Sequence, residues 1–305
     1  MSLLQQDLFT VVGKETDAAQ KIVRPSLTYW QDVWRRFKQN KAALTGLLII
    51  ILLIIMAVVG PHLLPYAYSD QDFNVKNISP TAQHWFGTDD LGRDLFVRVW
   101  NGARISLFIG IVSAIIVFVL GVIYGGISGY FGGMVDEVMM RIIEILYAIP
   151  FLLYVILLMV IMTPGLKPII ISIGAVYWIP MARLVRGQVM SLKEQEYVLA
   201  AKTLGASSTR IISRHLIPNT LGPIIVLVTL AIPDAIFTEA WLSFLGLGVS
   251  APIASWGSLA SDGMEGLRSY PWQLFFPAFF ISIAMLAFNL VGDGLRDALD
   301  PRQRN

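Results

Sequence analysis

The feature that most constrains this chain is the apolar run of residues 42–61, which contains no charged side chain. About 20 mostly apolar residues are enough for a helix to cross the hydrocarbon core of a bilayer, and a helix satisfies its backbone hydrogen bonds internally. The run therefore predicts a transmembrane helix. The stretch 1–41 before it is too long and too charged for a cleaved signal peptide, so we expect this span to be retained.

Five further apolar runs predict an all-α integral membrane protein with six transmembrane helices. These predicted spans are residues 105–135, 145–166, 168–182 (extendable to 185), 216–239 and 269–292. The composition agrees, because 55% of the residues are hydrophobic and only 14% are charged, whereas soluble domains carry about 25% charged residues. An even number of spans places both termini on the same side of the membrane.

The distribution of basic residues predicts which side that is. With both termini in the cytoplasm, 17 of the 23 Lys and Arg residues fall in cytoplasmic segments and 6 in exterior segments. Cytoplasmic loops of membrane proteins carry such an excess. We therefore predict a cytoplasmic N-terminal segment 1–41, a first span 42–61, an exterior loop 62–104, a five-helix core 105–295 and a cytoplasmic tail 296–305.

Two predicted exterior segments are long. Residues 61–104 mix polar and aromatic residues, which predicts an interfacial helix with its Trp and Phe side chains at the headgroups. Residues 246–272 are rich in Gly, Pro and Ser, which favours a loop or re-entrant structure. Glycines also recur every four residues in the second predicted span, where they indicate close helix packing or, alternatively, a bend: Gly121, Gly125, Gly129 and Gly133.

Motifs of catalysis are absent from the sequence. It contains no cysteine, and its three histidines, His62, His84 and His215, are scattered. It has neither a G-x-x-x-x-G-K-[ST] phosphate loop nor an H-E-x-x-H zinc motif. We therefore expect no catalytic residue, no metal site and no cofactor in this chain, and no nucleic-acid partner.

The segment 196–219, EYVLAAKTLGASSTRIISRHLIPN, is a polar interruption between two predicted spans. Glu196 opens a run of high helix propensity, Gly205 can end that helix in the left-handed conformation, and a following serine can cap a second, basic helix. Pro218 predicts a break before the next span. Small residues at the turn suit insertion into a groove of another protein. The alternative is a helix that lies on the lipid surface.

This segment resembles the cytoplasmic EAA loop of permease subunits in ABC importers. The Ala pair, the Gly and the Pro of that pattern are matched by Ala200, Ala201, Gly205 and Pro218. The segment departs from the pattern at its Glu, Ile and Leu positions, which hold Leu199, His215 and Ile217.

Other motifs, in chain order, are similar to C-type subunits of dipeptide and oligopeptide permeases. HWFGTDDLGRDLFVRVWNGARISL (84–107) resembles the exterior signature of that family. FTEAWLSFLGLG (237–248), SWG (255–257) and NLVGDGLRDALDPR (289–302) resemble its fifth span, the following loop, and its last span and tail. The resemblance is collinear from about residue 30 to residue 302.

The resemblance implies a type I ABC importer permease that forms half of a channel, paired with a B-type permease subunit. Two cytoplasmic ABC ATPases would bind ATP and Mg²⁺, and an extracytoplasmic binding protein would deliver a peptide. The expected location is the cytoplasmic (inner) membrane of a bacterium or archaeon, surrounded by lipid. Within a coupling loop 186–219, the residues implied in ATPase contact are Glu196, Tyr197, Ala200, Ala201, Leu204, Gly205, Ala206, Ser207, Arg210 and Pro218.

Ionisable residues within spans are candidate functional sites, because a charge in lipid is costly. Together with the family motifs, this makes Asp234, Glu239 and Asn289 candidates for the substrate path; the alternative places such groups at helix ends or in a wet cavity. Import of nickel chelates or another small solute by the same kind of permease is an alternative function. An ion-coupled secondary transporter, a membrane-embedded enzyme and a non-transporting scaffold are further alternatives.

Overall fold

The computed structural model describes residues 28–300, and this range is helical apart from turns, loops and one isolated β-bridge between Thr88 and Asp94. A π-helical turn (Ile212–Leu216) and two short 3₁₀ turns (Gly60–His62 and Phe73–Val75) accompany the α-helices. The α-helices are α1 (Tyr29–Gln39), α2 (Lys41–Val59), α3 (Leu95–Phe131), α4 (Gly133–Ala148), α5 (Phe151–Ile161), α6 (Leu166–Val176), α7 (Ile179–Leu192), α8 (Glu196–Thr203), α9 (Ser208–Ile211), α10 (Ile217–Asn219), α11 (Leu221–Phe244), α12 (Trp256–Glu265) and α13 (Trp272–Leu299).

Within this range, five helical segments are long and apolar enough to cross a membrane: Lys41–His62, Leu95–Phe131, Leu166–Leu192, Leu221–Phe244 and Trp272–Leu299. The pair α4 and α5 adds a sixth only if it counts as one span, because the two helices are bent by 78°. Ile149 between them is extended (φ −81°, ψ 124°), and it precedes Pro150, whose ring disfavours helical backbone at the preceding residue. The predicted third span 145–166 is therefore broken.

The N-terminal part of the structure consists of an amphipathic helix and an apolar one. In α1, Val33 and Phe37 are buried against α13, while Trp30 and Trp34 are exposed. In α2, apolar side chains project outward as well as inward, and Leu48 is 65% exposed. An exposed apolar surface of this kind is suited to contact with lipid.

The segment 61–104 does not form the predicted interfacial helix. Instead α3 begins at Leu95, where the carboxylate of Asp94 accepts a hydrogen bond from a backbone N–H of the first turn. Phe96 and Trp100 are 4% and 3% exposed, so they pack inside the protein. Arg98 and Arg104 interrupt the apolar run of the sequence, and because Arg104 directly precedes residue 105, hydropathy alone starts this span there.

Other helices also extend beyond their apolar runs. The predicted fourth span, 168–182, corresponds to α6 and α7, and α7 continues through Arg183 and Arg186. The predicted coupling loop 186–219 therefore begins with helix. The predicted fifth span, 216–239, is shifted to α11, and α13 continues into the predicted tail 296–305, of which residues 301–305 lie outside the described range. The predicted loop 246–272 contains α12.

The glycine repeat of α3 brings this helix against α7. A Cβ atom added at Gly121, Gly125 or Gly129 would lie 2.4, 2.3 or 2.7 Å, respectively, from its nearest atom in α7. Such distances are too short for any side chain, so the packing interpretation of the repeat is confirmed at these positions. Gly133 does not take part, because it belongs to α4 and has no neighbour within 4 Å.

We predict that Gly125→Ala destabilises the protein, because the new methyl group would collide with the Ala182 carbonyl oxygen at 2.3 Å. Overpacking of this kind costs about 1–3 kcal/mol. The matched control is Gly126→Ala in the same turn, where the nearest atoms lie at 3.5 Å. Thermal unfolding in detergent should show a lower midpoint for Gly125→Ala than for Gly126→Ala, and equal midpoints would contradict the close packing.

Candidate functional site

The polar segment between α7 and α11 forms the helix, turn and second helix that the sequence predicts. Helix α8 ends in a pair of capping hydrogen bonds, from the N–H of Gly205 to the Lys202 carbonyl and from the N–H of Ala206 to the Ala201 carbonyl. Gly205 has φ +82°, and this left-handed conformation closes the helix end. Glycine adopts it without the steric cost that a Cβ atom imposes.

The second helix is shorter and less regular than the sequence suggests. The Ser207 hydroxyl caps α9 by accepting a hydrogen bond from the Arg210 N–H at 3.4 Å. A π-helical turn follows, and Pro218 lies in the first turn of α10, where its missing N–H donor is not needed. The break that was predicted at Pro218 is therefore found at Thr220 (φ −101°, ψ 1°), immediately before α11.

Three buried side chains hold this segment against the rest of the protein. Val198 of α8, Ile211 of α9 and Leu216 of the π-helical turn are 3%, 1% and 0% exposed, and they belong to one apolar cluster with the inner face of α7. Sequence reasoning missed these residues, although their apolar character in a polar segment was a usable signal. Through them, a displacement of the turn would be transmitted to α7.

The opposite face of the segment is open. Leu204, beside the turn, is 88% exposed, and Leu199 of the same segment is 47% exposed, so the segment presents more than one large apolar side chain that a partner can cover. Ala201 and Ala206 are half-buried. The other predicted coupling residues are exposed on the same segment: Glu196, Tyr197, Ala200, Gly205, Ser207, Arg210 and Pro218.

An ion pair links the middle of α7 to α4. Arg186 donates two hydrogen bonds to the Asp136 carboxylate, from Nε and Nη2, each at 2.5 Å. Ser128 of α3 donates a third, also at 2.5 Å. Bidentate Arg–carboxylate pairs are directional as well as strong. These hydrogen bonds thus join α3, α4 and α7, and nothing in the sequence pattern predicts this pairing.

Two cavities meet in the membrane-spanning part of the chain. One of about 620 Å³ lies between α3, the α4–α5 bend, α6, α7 and α11, and one of about 320 Å³ lies beside it. Asp234, Phe151 and Tyr177 line both. Tyr177 is hydrogen-bonded to Thr238 of α11 at 2.5 Å. The structure therefore places Asp234 on a space large enough for a small solute.

The structure places the other two candidates of the substrate path elsewhere. Glu239 is 0% exposed, and its Oε1 accepts hydrogen bonds from Ser243 at 2.8 Å and from Ser255 at 2.5 Å. Since Ser255 is the N-cap of α12, this carboxyl group joins α11 to the start of α12. Asn289 is exposed on α13, and neither residue is among those lining the two cavities around Asp234.

The segment 84–107 folds into a cap on the start of α3. The Asp89 carboxylate accepts hydrogen bonds from two backbone N–H groups and from Arg93 Nε at 2.7 Å. Asp94 caps the helix and contacts His84 Nδ1 at 2.8 Å. Burial raises the pKa of the Asp94 carboxyl, and the hydrogen bonds from Val97 and His84 oppose that rise. The acidic and basic residues of this motif thus bind one another and the backbone within the same segment.

Among residues 28–300, no group of three or more His, Asp or Glu side chains is placed to hold a metal ion. The features that remain as functional candidates are the exposed turn at Leu204 and the cavities at Asp234.

Two family models match this chain. Residues 118–305 match the family described as binding-protein-dependent transport system inner membrane component. Residues 28–80 match the N-terminal transmembrane domain of oligopeptide transport permease C. The first match includes the exposed turn and every residue that lines the two cavities except Val117, and the second covers α1 and α2.

Individual relatives align over nearly the full chain. The dipeptide transport system permease protein DppC of Bacillus subtilis is 56% identical over 97% of this chain and 93% of the relative. The oligopeptide transport system permease protein OppC of the same organism is 54% identical over the full length of both chains. The OppC protein of Escherichia coli K12 is 45% identical over 94% of this chain and 95% of the relative.

A solved structure shares the fold. The MetNI methionine ABC transporter, in an inward-facing conformation, superposes with a TM-score of 0.52 at 18% identity, over 68% of this chain and 96% of the other. This likeness shows a shared fold, and the family matches and the near-complete alignments show the class of protein. The chain belongs to the C-type permease subunits of the dipeptide and oligopeptide ABC transport systems.

Proposed function

We propose that this subunit forms half of the translocation path of an ATP-driven peptide importer and is moved by an ATPase that grips the segment 196–218. The observation that carries the proposal is the exposed Leu204 turn, whose inner side is anchored to α7 by Val198 and Ile211. The turn offers an apolar contact to a partner, and the anchors connect that contact to the membrane helices. The chain itself has no phosphate loop in its sequence.

The topology that fits this proposal has six spans with both termini in the cytoplasm. It requires α4 and α5 to cross the membrane together as one bent span. The excess of Lys and Arg on the side of the segment 196–218 supports this orientation. We propose the inner membrane of a bacterium as the location, since the curated relatives named above are bacterial.

The proposed assembly contains a B-type permease subunit, two cytoplasmic ABC ATPases that bind ATP and Mg²⁺, and an extracytoplasmic binding protein. The family description supports a binding-protein-dependent system with an inner membrane component. Alternating access needs helices that move as rigid groups around a central site. The contacts of α7 with α3, α4 and α8 would make such a group, so closure of the ATPases would reach the walls of the cavity.

The proposed substrates are dipeptides and oligopeptides, in line with the names of the curated relatives. The cavities around Asp234 are lined mostly by apolar and aromatic side chains, which suits a solute that carries varied side chains. An ion-coupled transporter would need further charged partners near Asp234, and the described residues that line these cavities include no other Asp, Glu, Lys, Arg or His. This observation favours the ATP-driven importer.

We predict that Gly205→Val uncouples ATP hydrolysis from uptake, because a β-branched residue is strained at φ +82° and would unwind the turn. Gly246→Val is the matched control, since Gly246 has φ +75° and, like Gly205, no neighbour within 4 Å of an added Cβ atom. It lies beyond α11, outside the proposed docking segment. Co-purification should show less ATPase bound to the Gly205→Val protein only. Equal ATPase capture and normal uptake by both variants would overturn the docking assignment.

We predict that Glu239→Ala mainly lowers stability, since it removes the acceptor of the Ser243 and Ser255 hydroxyl groups in a buried site. Loss of two buried hydrogen bonds costs about 2–4 kcal/mol. Glu144→Ala is the control, because its exposed side chain pairs only with Arg141 at the surface. Size-exclusion profiles and unfolding midpoints in detergent should separate the two. A stable Glu239→Ala protein with altered substrate preference would return Glu239 to the substrate path.

A further inference from the structure

Asp234 carries the one charge on the walls of the two adjoining cavities, as far as the described residues define them. The other lining residues of both are apolar, aromatic or uncharged. Asp234 lies on α11 directly after Pro233, near the middle of a helix that is apolar enough to span a membrane. A carboxylate in such a place is costly to keep, and its retention points to a ligand or a partner.

No protein partner for this carboxylate is found among residues 28–300. Its side chain makes no hydrogen bond and no ion pair with them, and it is exposed to the cavities. Two carboxylates elsewhere in the described residues are matched: Asp136 pairs with Arg186, and Asp89 pairs with Arg93. The Asp234 side chain is thus free to bind a cationic group that enters the cavity.

The surrounding walls are suited to a cation of a particular kind. Phe151 and Tyr177 stand beside Asp234 in both cavities, with their ring centroids 5.4 Å apart and an interplanar angle of 61°. Phe237 and Trp241 add two further rings in the smaller cavity. Aromatic faces attract ammonium groups that have lost part of their water shell. A carboxylate and several rings together favour an organic ammonium over a hydrated metal ion.

We propose that Asp234, with the rings of Phe151 and Tyr177, binds the α-ammonium group of a peptide in transit. This proposal rests on the proposed function, and it names the part of the substrate that is recognised. The α-ammonium group is common to dipeptides and oligopeptides of any sequence. A path that binds this group, and leaves the side chains in an apolar space of about 620 Å³, accepts many sequences while excluding peptides with a blocked N-terminus.

The test is peptide binding to the purified permease–ATPase complex in nanodiscs, without the binding protein, so that the selectivity of the latter does not interfere. The probes are alanyl-phenylalanine, its N-acetylated form and its C-terminal amide. The wild-type complex should bind the two free-amino peptides at least about tenfold more tightly than the acetylated one, a difference of about 1.4 kcal/mol. Asp234→Asn should remove that preference, and Phe151→Leu should reduce it.

Two further variants distinguish recognition from a structural effect. Asp234→Glu keeps the charge and should keep the preference for a free amino group. Asp293→Asn removes an exposed carboxylate of α13 that lines neither cavity, and it should leave all three affinities unchanged. Equal affinity of the wild-type complex for acetylated and free peptides would overturn the proposal, as would binding by Asp234→Asn with the preference intact or no wild-type binding at millimolar concentration.

Uptake by proteoliposomes that contain the complete system separates this proposal from the proposed function. If the wild-type system takes up alanyl-phenylalanine in an ATP-dependent manner but the binding experiment contradicts the proposal, only the role of Asp234 is refuted. Absence of uptake of any peptide by an intact, ATP-hydrolysing system removes the proposed function itself.

Discussion

The close approach of α3 to α7 is the contact on which the rest of the structure depends. Three glycines of α3 let the backbones meet where any side chain would collide with Met181, Ala182 or the Arg186 backbone. In lipid, helices gain little from the hydrophobic effect, so dispersion contacts between closely packed backbones are a main source of cohesion. Because α8 follows α7 after a short turn, this contact also determines how firmly the exposed turn is held.

Ionisable groups near the membrane helices fall into two physical classes. Asp136 and Arg186 pair with each other and hold α4 against α7. Glu239 accepts hydrogen bonds from Ser243 of its own helix and from Ser255 at the start of α12. These groups stabilise the packing of the helices. Asp234 has no such partner among the described residues, and it faces space. That contrast, more than the presence of a charge in a span, is what distinguishes a candidate ligand site from a structural group.

Some of this could be read from the sequence, because it depended on local chemistry. The helix end at Gly205, a serine cap just after it, and close packing at Gly125, which the glycine spacing left open against a bend, follow from backbone rules that act within a few residues or along one helix face. The start of α3 at Leu95 was missed, since Arg98 and Arg104 look unfavourable in a hydropathy window, and only the fold shows that Arg104 donates a hydrogen bond to the Ala57 carbonyl of α2. The extension of α7 was missed for the same reason at Arg186.

The roles of Asp234 and Glu239 needed the tertiary structure. Both are acidic residues in the same apolar stretch, and composition offers no way to rank them. Only the fold shows that Ser255, from a later loop, reaches Glu239, while the Asp234 side chain opens onto cavities lined by Phe151 and Tyr177. The bend at Pro150, which helps to form the larger cavity, was likewise hidden inside an apparently continuous apolar run.

Site-specific cross-linking tests most directly the proposal that a partner ATPase binds the turn at Leu204. Because the chain has no cysteine, Leu204→Cys provides a single thiol at the tip, and Met264→Cys provides one on α12 as a control. A short thiol–amine cross-linker should join the Leu204→Cys protein to the ATPase, with a yield that changes when ATP is added, and should leave the Met264→Cys protein unlinked. Failure of Leu204→Cys to cross-link to the ATPase in any nucleotide state would contradict the account.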